Sequence, residues 1–278
     1  MKSIFNLVKV AFFLLLEAPI RPRWAFYRLR GFYYGYYKNR FHDKRISEYQ
    51  SRLQPLHEAL AFCTDRSTDE AIEAGRSEIL EKMRVQHRWV VSLPGEGQPA
   101  AAGDGPIEIR YGPSPELMKA VHIVCRLLKP RIVIETGVAK GFTSASILDA
   151  LEKNGQGELY SVEMPSLHIG YTRQVGEKIP DPLRKRWHLE LGPSAVVLPG
   201  LLERLGSVDV FVYDSAASYD NQLTEFSIIL TGMRPGGVLI ADLLMTDAFI
   251  EVAEGCNCKW TTTEQTKLYP IGLLTKLA

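Results

Sequence analysis

The chain has 278 residues, of which 46% are hydrophobic and 23% charged, and these fractions are typical of a folded protein rather than a disordered one. A net charge of +1 gives no general argument for binding nucleic acid or an acidic partner. Four cysteines are too few and too scattered for a disulfide framework, so we expect a reducing, cytoplasmic compartment.

Residues 1–45 form a basic aromatic segment, with ten lysines and arginines against two acidic residues. The apolar run over residues 4–16 is shorter than the roughly 20 residues that span a bilayer, and no signal-peptide cleavage site follows it. Aromatic rings and long cations suit a lipid headgroup interface, and they equally suit an apolar face of the main domain or of a partner subunit. We therefore expect residues 1–41 either to contact the cytoplasmic face of a membrane peripherally or to pack on protein. No RNA-binding signature accompanies them, so nucleic acid is not an expected partner.

A helical extension is predicted to follow, over residues 46–93. Leucines at positions 53, 56 and 60 are three and four residues apart, and isoleucines at 72 and 79 are seven apart, which predicts two amphipathic helices. Residues 94–106 are rich in Gly, Pro and Ala without periodicity, which is typical of a linker or mobile loop. The main domain is expected over residues 107–278.

The main domain alternates between helical and strand patterns. The predicted elements are helix 114–128, strand 131–136, helix 143–153, strand 158–162, helix 171–179, strand 188–191, helix 195–205, strand 208–213, helix 221–233 and strand 238–241. Such alternation predicts an α/β fold with a doubly wound, mostly parallel, Rossmann-like sheet. Ligands of that architecture bind beyond the carboxyl ends of the strands, where the strand order reverses.

The turn after the first of these strands is the most informative segment. Gly137 and Gly141 can adopt positive φ and allow close approach of the backbone to a ligand, and the amides of the next helix point at the same place. The turn is neither GxGxxG nor a P-loop. Glu135 is placed to accept a hydrogen bond from a ligand's ammonium group, and Glu163, at the end of the next strand, to hold both hydroxyls of a ribose.

The segment from Tyr111 to Asp242 resembles the class I S-adenosylmethionine-dependent methyltransferases, and more narrowly their caffeoyl-CoA O-methyltransferase-like and methyltransferase 24 branches. The resemblance is carried by VIETGVAKGFTSASIL, LYSVEMP, VDVFVYDSAASY and GMRPGGVLIAD. It implies the cofactor S-adenosyl-L-methionine, with the methionine moiety near Gly137, the adenine near Ser194 and an antiparallel strand pair at 258–263 and 268–276. The implied cofactor contacts are Glu135, Thr136, Gly137, Gly141, Thr143, Ser144, Glu163, Met164, Ser194, Asp214 and Ser215.

The sequence departs from these relatives where they bind a metal. The metal-dependent relatives place an Asp after the fourth strand and an acidic or amide pair after the fifth, because a divalent cation such as Mg²⁺ takes several oxygen ligands. Asp214 and Asp242 match, but Leu243 follows where a second ligand is expected, and Ala217 stands at the position of a His that some relatives carry. The resemblance therefore implies an incomplete magnesium site. Three explanations of these departures remain open: chemistry that needs no metal, natural loss of activity, or substitution of catalytic residues.

Residual acid or base chemistry has three candidates, which are Asp214, Tyr219 and His168. The leading hypothesis is O-methylation of a small-molecule or membrane-associated acceptor, such as a sugar, a lipid-linked intermediate or a natural-product hydroxyl, by a homo-oligomeric enzyme. A second hypothesis is a cofactor-binding but catalytically impaired protein that acts as a binding or scaffold protein. A third, a nicotinamide-dependent oxidoreductase, is disfavoured by the spacing of the two loop glycines.

Overall fold

A computed structural model of the chain describes residues 45–77, 115–164, 175–263 and 269–278. Strands in these residues form one sheet. The strands are β1 (Leu53–Gln54), β2 (Ile132–Thr136), β3 (Glu158–Glu163), β4 (Trp187–Leu191), β5 (Val208–Tyr213), β6 (Met233–Ala241), β7 (Cys258–Thr263) and β8 (Ile271–Lys276). Their order across the sheet is β1-β7-β8-β6-β5-β2-β3-β4, in which only β8 runs antiparallel to its neighbours.

Helices cover both faces of this sheet. They are α1 (Ile46–Ser51), α2 (Leu56–Thr64), α3 (Thr68–Ala74), α4 (Pro115–Leu128), α5 (Phe142–Asn154), α6 (Ser194–Leu205), α7 (Tyr219–Gly232) and α8 (Ala248–Gly255), with a 3₁₀ helix at Asp181–Arg186. Side chains of α2 to α5 share one buried cluster with alternate strand residues such as Val210 and Val212. Side chains of α1 and α6 to α8 share the other cluster, with Phe211 and Tyr213. The predicted doubly wound α/β fold is confirmed.

The strand order reverses beside β2. The chain runs outward from β2 through β3 to β4, and then returns to add β5 and β6 on the other side of β2. The carboxyl ends of β2 and β5 therefore flank the switch point at which α/β sheets bind ligands. Strand β8 pairs antiparallel with both β6 and β7, which confirms the predicted C-terminal strand pair.

The prediction of two amphipathic helices before the main domain is wrong for the part that the structure describes. Three short helices and one short strand replace them. Pro55 precedes α2 in an extended conformation, and a helix cannot continue into it from Leu53, because proline has no amide hydrogen and disfavours the helical conformation of the residue before it. Leu53 is therefore a strand residue, and it pairs with Thr262 of β7. Residues 78–93 and the predicted linker 94–106 lie outside the described residues, as does the predicted segment 1–45 apart from Arg45.

The predicted helix 171–179 is also corrected. Residues 171–174 lie outside the described residues, and 175–179 form turns instead of a helix. Gly176 has a φ of +70°, and its amide donates to the carbonyl of Ala139, 3.0 Å away. Lys178 likewise donates to Lys140 at 2.8 Å. Backbone amides of this segment therefore donate to carbonyls of the loop after β2 instead of to carbonyls within a helix.

The cysteines fall into two pairs of different character. Cys256 and Cys258 form a disulfide that joins the end of α8 to the start of β7, a local pairing that the sequence analysis did not anticipate. Cys63 and Cys125 are buried free thiols in the core. Burial raises the pKa of the Cys63 thiol to about 12. These two cysteines therefore act as small apolar residues of the interior.

Candidate functional site

The loop between β2 and α5 is a tight bend at the switch point. Gly137, Ala139 and Gly141 all have positive φ, of +85°, +45° and +86°. A Cβ on Gly137 would lie 2.0 Å from the carbonyl oxygen of Asp214, and one on Gly141 would lie 2.8 Å from the Cα of Gly176. A side chain at either position would therefore clash with neighbouring backbone. This requirement for glycine adds to the one that the sequence suggested, which is close approach of a ligand to the backbone. The result is a loop held in one shape between β5 and the segment 175–179.

Glu163 lies against this loop. Its Oε2 atom accepts hydrogen bonds from the amides of Val138, at 2.6 Å, and Ala139, at 2.9 Å. The side chain is almost fully covered, with 8% of its residue surface exposed. A carboxylate offers about four lone-pair sites, of which these amides use two. The bend and the strand-terminal acid, which are 24 to 25 positions apart in sequence, therefore form one structural unit.

Glu135 lies beneath the loop and is fully buried. Its Oε2 atom accepts hydrogen bonds from the hydroxyls of Ser144, at 2.6 Å, and Ser161, at 2.8 Å, whereas no described residue bonds its buried Oε1 atom. Burial raises the pKa of Glu135 to about 7, and the two serine hydroxyls oppose that shift. Sequence reasoning missed Ser161, which also accepts a hydrogen bond from the indole of Trp187.

The two aspartates of the incomplete metal set follow β5 and β6. The Asp214 amide donates to the carbonyl of Thr136 at 2.9 Å, and its carboxylate accepts a bond from the Thr143 hydroxyl at 2.8 Å. Asp242 is buried, and its amide donates to the carbonyl of Tyr213. Within the described part of the chain, no group of three or more His, Cys, Asp or Glu side chains is arranged to hold a metal ion. Among the described residues, Asp214 and Asp242 are therefore not joined by a third side chain of these types.

The remaining predicted site residues are Tyr219, His168 and Met164. The Tyr219 hydroxyl donates to Oε2 of Glu251, 2.7 Å away on α8. Partial burial and this carboxylate raise the pKa of Tyr219 to about 12. His168 lies outside the described residues. Met164, a predicted cofactor contact, follows β3 directly and is half-buried.

A buried acid that sequence reasoning missed joins several predicted site residues. Glu225 of α7 is fully buried and accepts four hydrogen bonds. The donors are the hydroxyls of Thr136 (2.5 Å), Ser194 (2.6 Å) and Ser215 (3.2 Å) and the amide of Asn221 (2.8 Å). Three of these donors are predicted cofactor contacts. The hydrogen-bond network therefore fastens the ends of β2 and β5 and the start of α6 to one carboxylate.

A signal for this acid was present in the helical pattern. Glu225 shares the buried face of α7 with Gln222, Phe226 and Ile229, which are three positions before it, one after it and four after it. A carboxylate on the apolar face of an amphipathic helix is costly unless it is hydrogen-bonded, so such a position predicts a polar network. The identity of its partners required the tertiary structure, because they come from three other parts of the chain.

Comparisons with known proteins identify relatives of this domain. Residues 134–242 match the methyltransferase 24 family model, which describes a methyltransferase domain. No curated protein matches the chain in sequence. The O-methyltransferase TomG from Streptomyces achromogenes, involved in tomaymycin synthesis and solved with S-adenosylmethionine, is 20% identical, with a TM-score of 0.51 over 73% of this chain and 91% of that one. An O-methyltransferase from Bacillus cereus, solved with S-adenosylhomocysteine, is 17% identical, with a TM-score of 0.51 over 73% and 92% of the two chains. At these identities the structures show a shared fold.

Proposed function

We propose that this chain, whose residues 134–242 match a methyltransferase domain, is a class I S-adenosylmethionine-dependent methyltransferase that transfers a methyl group to a hydroxyl oxygen of a small-molecule or membrane-associated acceptor. The proposed acceptor classes are sugars, lipid-linked intermediates and natural-product hydroxyls. The observation that carries the proposal is the contact of the Glu163 carboxylate with the amides of the glycine bend, at the point where the strand order reverses. This is the position at which such folds bind a nucleoside cofactor.

The residues present suit S-adenosylmethionine. Glu135 keeps a buried oxygen without a bond from any described residue, and an ammonium group is the donor such an atom needs. Glu163 is assigned to the ribose hydroxyls and Ser194 to the adenine. The amides at the start of α5 suit the cofactor's carboxylate. When bound, the cofactor supplies a methyl group that is already activated on a sulfonium sulfur.

Asp214 is assigned to the acceptor. The Thr143 hydroxyl holds its Oδ2 atom at the carboxyl end of β5. A carboxylate in that place can orient the acceptor hydroxyl and take its proton as the new C–O bond forms. Because the leaving group needs no protonation, positioning of the two reactants supplies much of the acceleration.

The test is calorimetric titration with S-adenosylhomocysteine, together with transfer of radiolabelled methyl to panels of hydroxyl acceptors. Glu163→Gln is expected to weaken cofactor binding about tenfold or more, because one carboxylate oxygen becomes a hydrogen-bond donor. Glu203→Gln, an exposed change on α6, is the matched control and should bind as the wild type does. Absence of binding by the folded wild-type protein would overturn the proposal.

A second candidate function, a binding or scaffold protein that keeps the cofactor but not turnover, is favoured by Ala217 and Leu243 at positions where relatives carry reactive or ligating residues. Its expected result is cofactor binding without methyl transfer to any acceptor under single-turnover conditions. Detection of a methylated product from one acceptor would eliminate this candidate.

The basic aromatic segment, residues 1–41, is proposed to hold the enzyme at an anionic membrane surface. The support is its composition, with aromatic residues interleaved between cations. In the described residues, no helix is both long enough and apolar enough to cross a bilayer. Co-sedimentation with vesicles that contain phosphatidylserine should pellet the full chain and not a chain that begins at residue 42. Equal pelleting of the two would mean that the segment packs on protein instead.

A further inference from the structure

We propose that Cys256 and Cys258 form a reversible redox pair, whose bond a low-molecular-weight thiol such as glutathione opens and closes while the protein stays folded. Strand β7 runs in the same direction as β6 and begins at Cys258. The pair therefore lies at the sheet edge opposite to the carboxyl ends of β2 and β5, where the cofactor contacts are assigned. The inference is for this reason independent of the proposed function.

The first observation is how little of the chain the disulfide encloses. A single residue, Asn257, separates the two cysteines. In the chain-entropy account, a disulfide stabilises a fold by restricting the unfolded chain, and the effect grows with the length of the closed loop. A loop of this size gives a small gain of that kind. We therefore expect the fold to persist without the bond.

The second observation is that other contacts hold the backbone of both cysteines. Cys256 directly follows α8, and Cys258 begins β7, where it pairs with β8. Between them, the Asn257 carbonyl accepts a hydrogen bond from the Leu277 amide at 2.8 Å, and its side-chain amide donates to the carbonyl of Ala278 at 2.7 Å. None of these contacts involves a sulfur atom, so they persist when the S–S bond is broken.

Because the backbone is held in this way, the two thiols of the reduced form stay close together. The two Cα atoms are 5.4 Å apart, within the usual range for a disulfide, so the bond can form again without movement of the backbone. The reduced form also has an acceptor for one thiol, since Sγ of Cys256 lies 3.7 Å from the carbonyl oxygen of Ala253. The same local structure therefore accommodates both redox states.

The third observation is access from solvent. Cys256 and Cys258 are partly exposed, and Asn257 between them is exposed. The free cysteines Cys63 and Cys125 are buried in the core. Cysteine oxidation and exchange follow exposure of the sulfur. A thiol in solution therefore reaches the first pair and not the second.

The exchange consists of two balanced steps. A glutathione thiolate attacks one sulfur of the pair, which forms a mixed disulfide and breaks the S–S bond, so that the other cysteine leaves as a thiolate. A second glutathione thiolate then attacks the glutathione sulfur of the mixed disulfide, which releases glutathione disulfide and the remaining cysteine thiolate. The two protons lost by the glutathione thiols are taken up by the two cysteines. Two electrons thus pass from two glutathiones to the protein, and glutathione disulfide reverses both steps.

The test treats the folded full chain with millimolar reduced glutathione, alkylates free thiols with iodoacetamide and maps the alkylated peptides by mass spectrometry. Before reduction, we expect no cysteine to be alkylated. After reduction, both Cys256 and Cys258 should be alkylated. Cys63 and Cys125 should stay unmodified, which makes them an internal control. Transfer to glutathione disulfide before alkylation should protect the pair again.

A parallel measurement separates this role from a structural one. Circular dichroism should show the same fold in both redox states, with the Tm of the reduced form lower by about 5 °C or less. The double variant Cys256→Ser/Cys258→Ser is the control, and it should fold with a Tm near that of the reduced wild type.

Three results would overturn the inference. Resistance of the pair to glutathione in the folded protein would make the bond a permanent structural one. Alkylation of Cys63 and Cys125 on reduction, or a double variant that does not fold, would show that the fold depends on the bond. A pair that is still alkylated in excess glutathione disulfide would show that the bond does not form.

Discussion

Gly137 and Gly155 show how one residue type serves two purposes in this chain. Both have positive φ, of +85° and +70°. A Cβ at Gly137 would meet the carbonyl oxygen of Asp214 at 2.0 Å, whereas nothing lies within 4 Å of a Cβ at Gly155. The backbone conformation alone disfavours a side chain at Gly155. At Gly137, a side chain would in addition clash with the backbone directly after β5.

Gly137→Ala should therefore destabilise the protein more than Gly155→Ala does. The left-handed conformation costs about 1–2 kcal/mol for a residue with a Cβ, and overpacking against backbone adds about 1–3 kcal/mol or more. We expect a loss of about 1 kcal/mol at Gly155 and about 2–5 kcal/mol at Gly137. The measurement is the free energy of unfolding in urea. Equal losses at the two glycines would mean that the loop can move away from β5.

Glu135 should make stability depend on pH. Burial raises its pKa in the folded protein to about 7, against about 4.3 when unfolded. Its protonated form is therefore favoured by folding, so its stabilising contribution is complete below about pH 4 and is lost as pH rises toward 7. Relative to Glu135→Gln, the wild type should lose up to about 4 kcal/mol of unfolding free energy across this window. Parallel pH profiles of the two proteins in urea would contradict this assignment.

At the scale of elements, α1 fastens the loop that follows β6. The Tyr49 hydroxyl donates to the carbonyl of Thr246 at 2.6 Å, and the Arg45 amide donates to Asp247 at 3.0 Å. From the other side, Gln222 of α7 accepts from the Thr246 hydroxyl and donates to the carbonyl of Leu243, which has a φ of +51°. The loop after Asp242 is therefore held by two helices, which offsets the cost of its left-handed residue.

Tyr49→Phe is expected to weaken this connection. The hydroxyl is buried and its partner is a backbone carbonyl, so the loss should be about 1–2 kcal/mol of unfolding free energy. Tyr219→Phe is the control, because its hydroxyl bonds Glu251 at an exposed site, and it should cost less than about 1 kcal/mol. Thermal unfolding of both variants gives the comparison. A loss at Tyr49 as small as that at Tyr219 would show that α1 contributes little to holding the loop.

At the scale of the whole molecule, the described part of the helical extension belongs to the core of the main domain. Leu60 and Ala71, from α2 and α3, are fully buried in the cluster that contains the α4 and α5 side chains. Strand β1 also extends the sheet beyond β7. The described part of the extension is therefore packed into the same hydrophobic core as α5, the helix that follows the glycine bend.

Leu60→Ala tests this shared interior. Truncation of a buried leucine costs about 2–5 kcal/mol, so we expect a loss in that range. Phe62→Ala, on the same helix but 42% exposed, should cost clearly less despite its larger side chain. Chemical denaturation followed by circular dichroism measures both. A small loss at Leu60 would indicate that α2 folds separately from the sheet.

The local sequence pattern predicted strand β5 correctly and the segment 175–179 wrongly. The run Val208–Tyr213 was predicted with the bounds that the structure shows, because an apolar run interrupted only by Asp209 is typical of a strand buried on both faces. The helix over 171–179 failed in its described part because Gly176 and Lys178 bond to a loop some 37 positions earlier in sequence. Periodicity reports neighbours along the chain, and it carries no information about such distant partners.

The sequence by itself determined the alternating α/β pattern, the glycine bend and the strand-terminal acid Glu163, since each depends on local conformation and spacing. Only the tertiary structure decided that Glu163 contacts the bend and that Glu135 is buried beneath it. It also decided that Glu225 accepts hydrogen bonds from hydroxyls of separate elements. These arrangements depend on long-range packing, in which burial removes water and leaves each polar atom to find a partner wherever the fold brings one close.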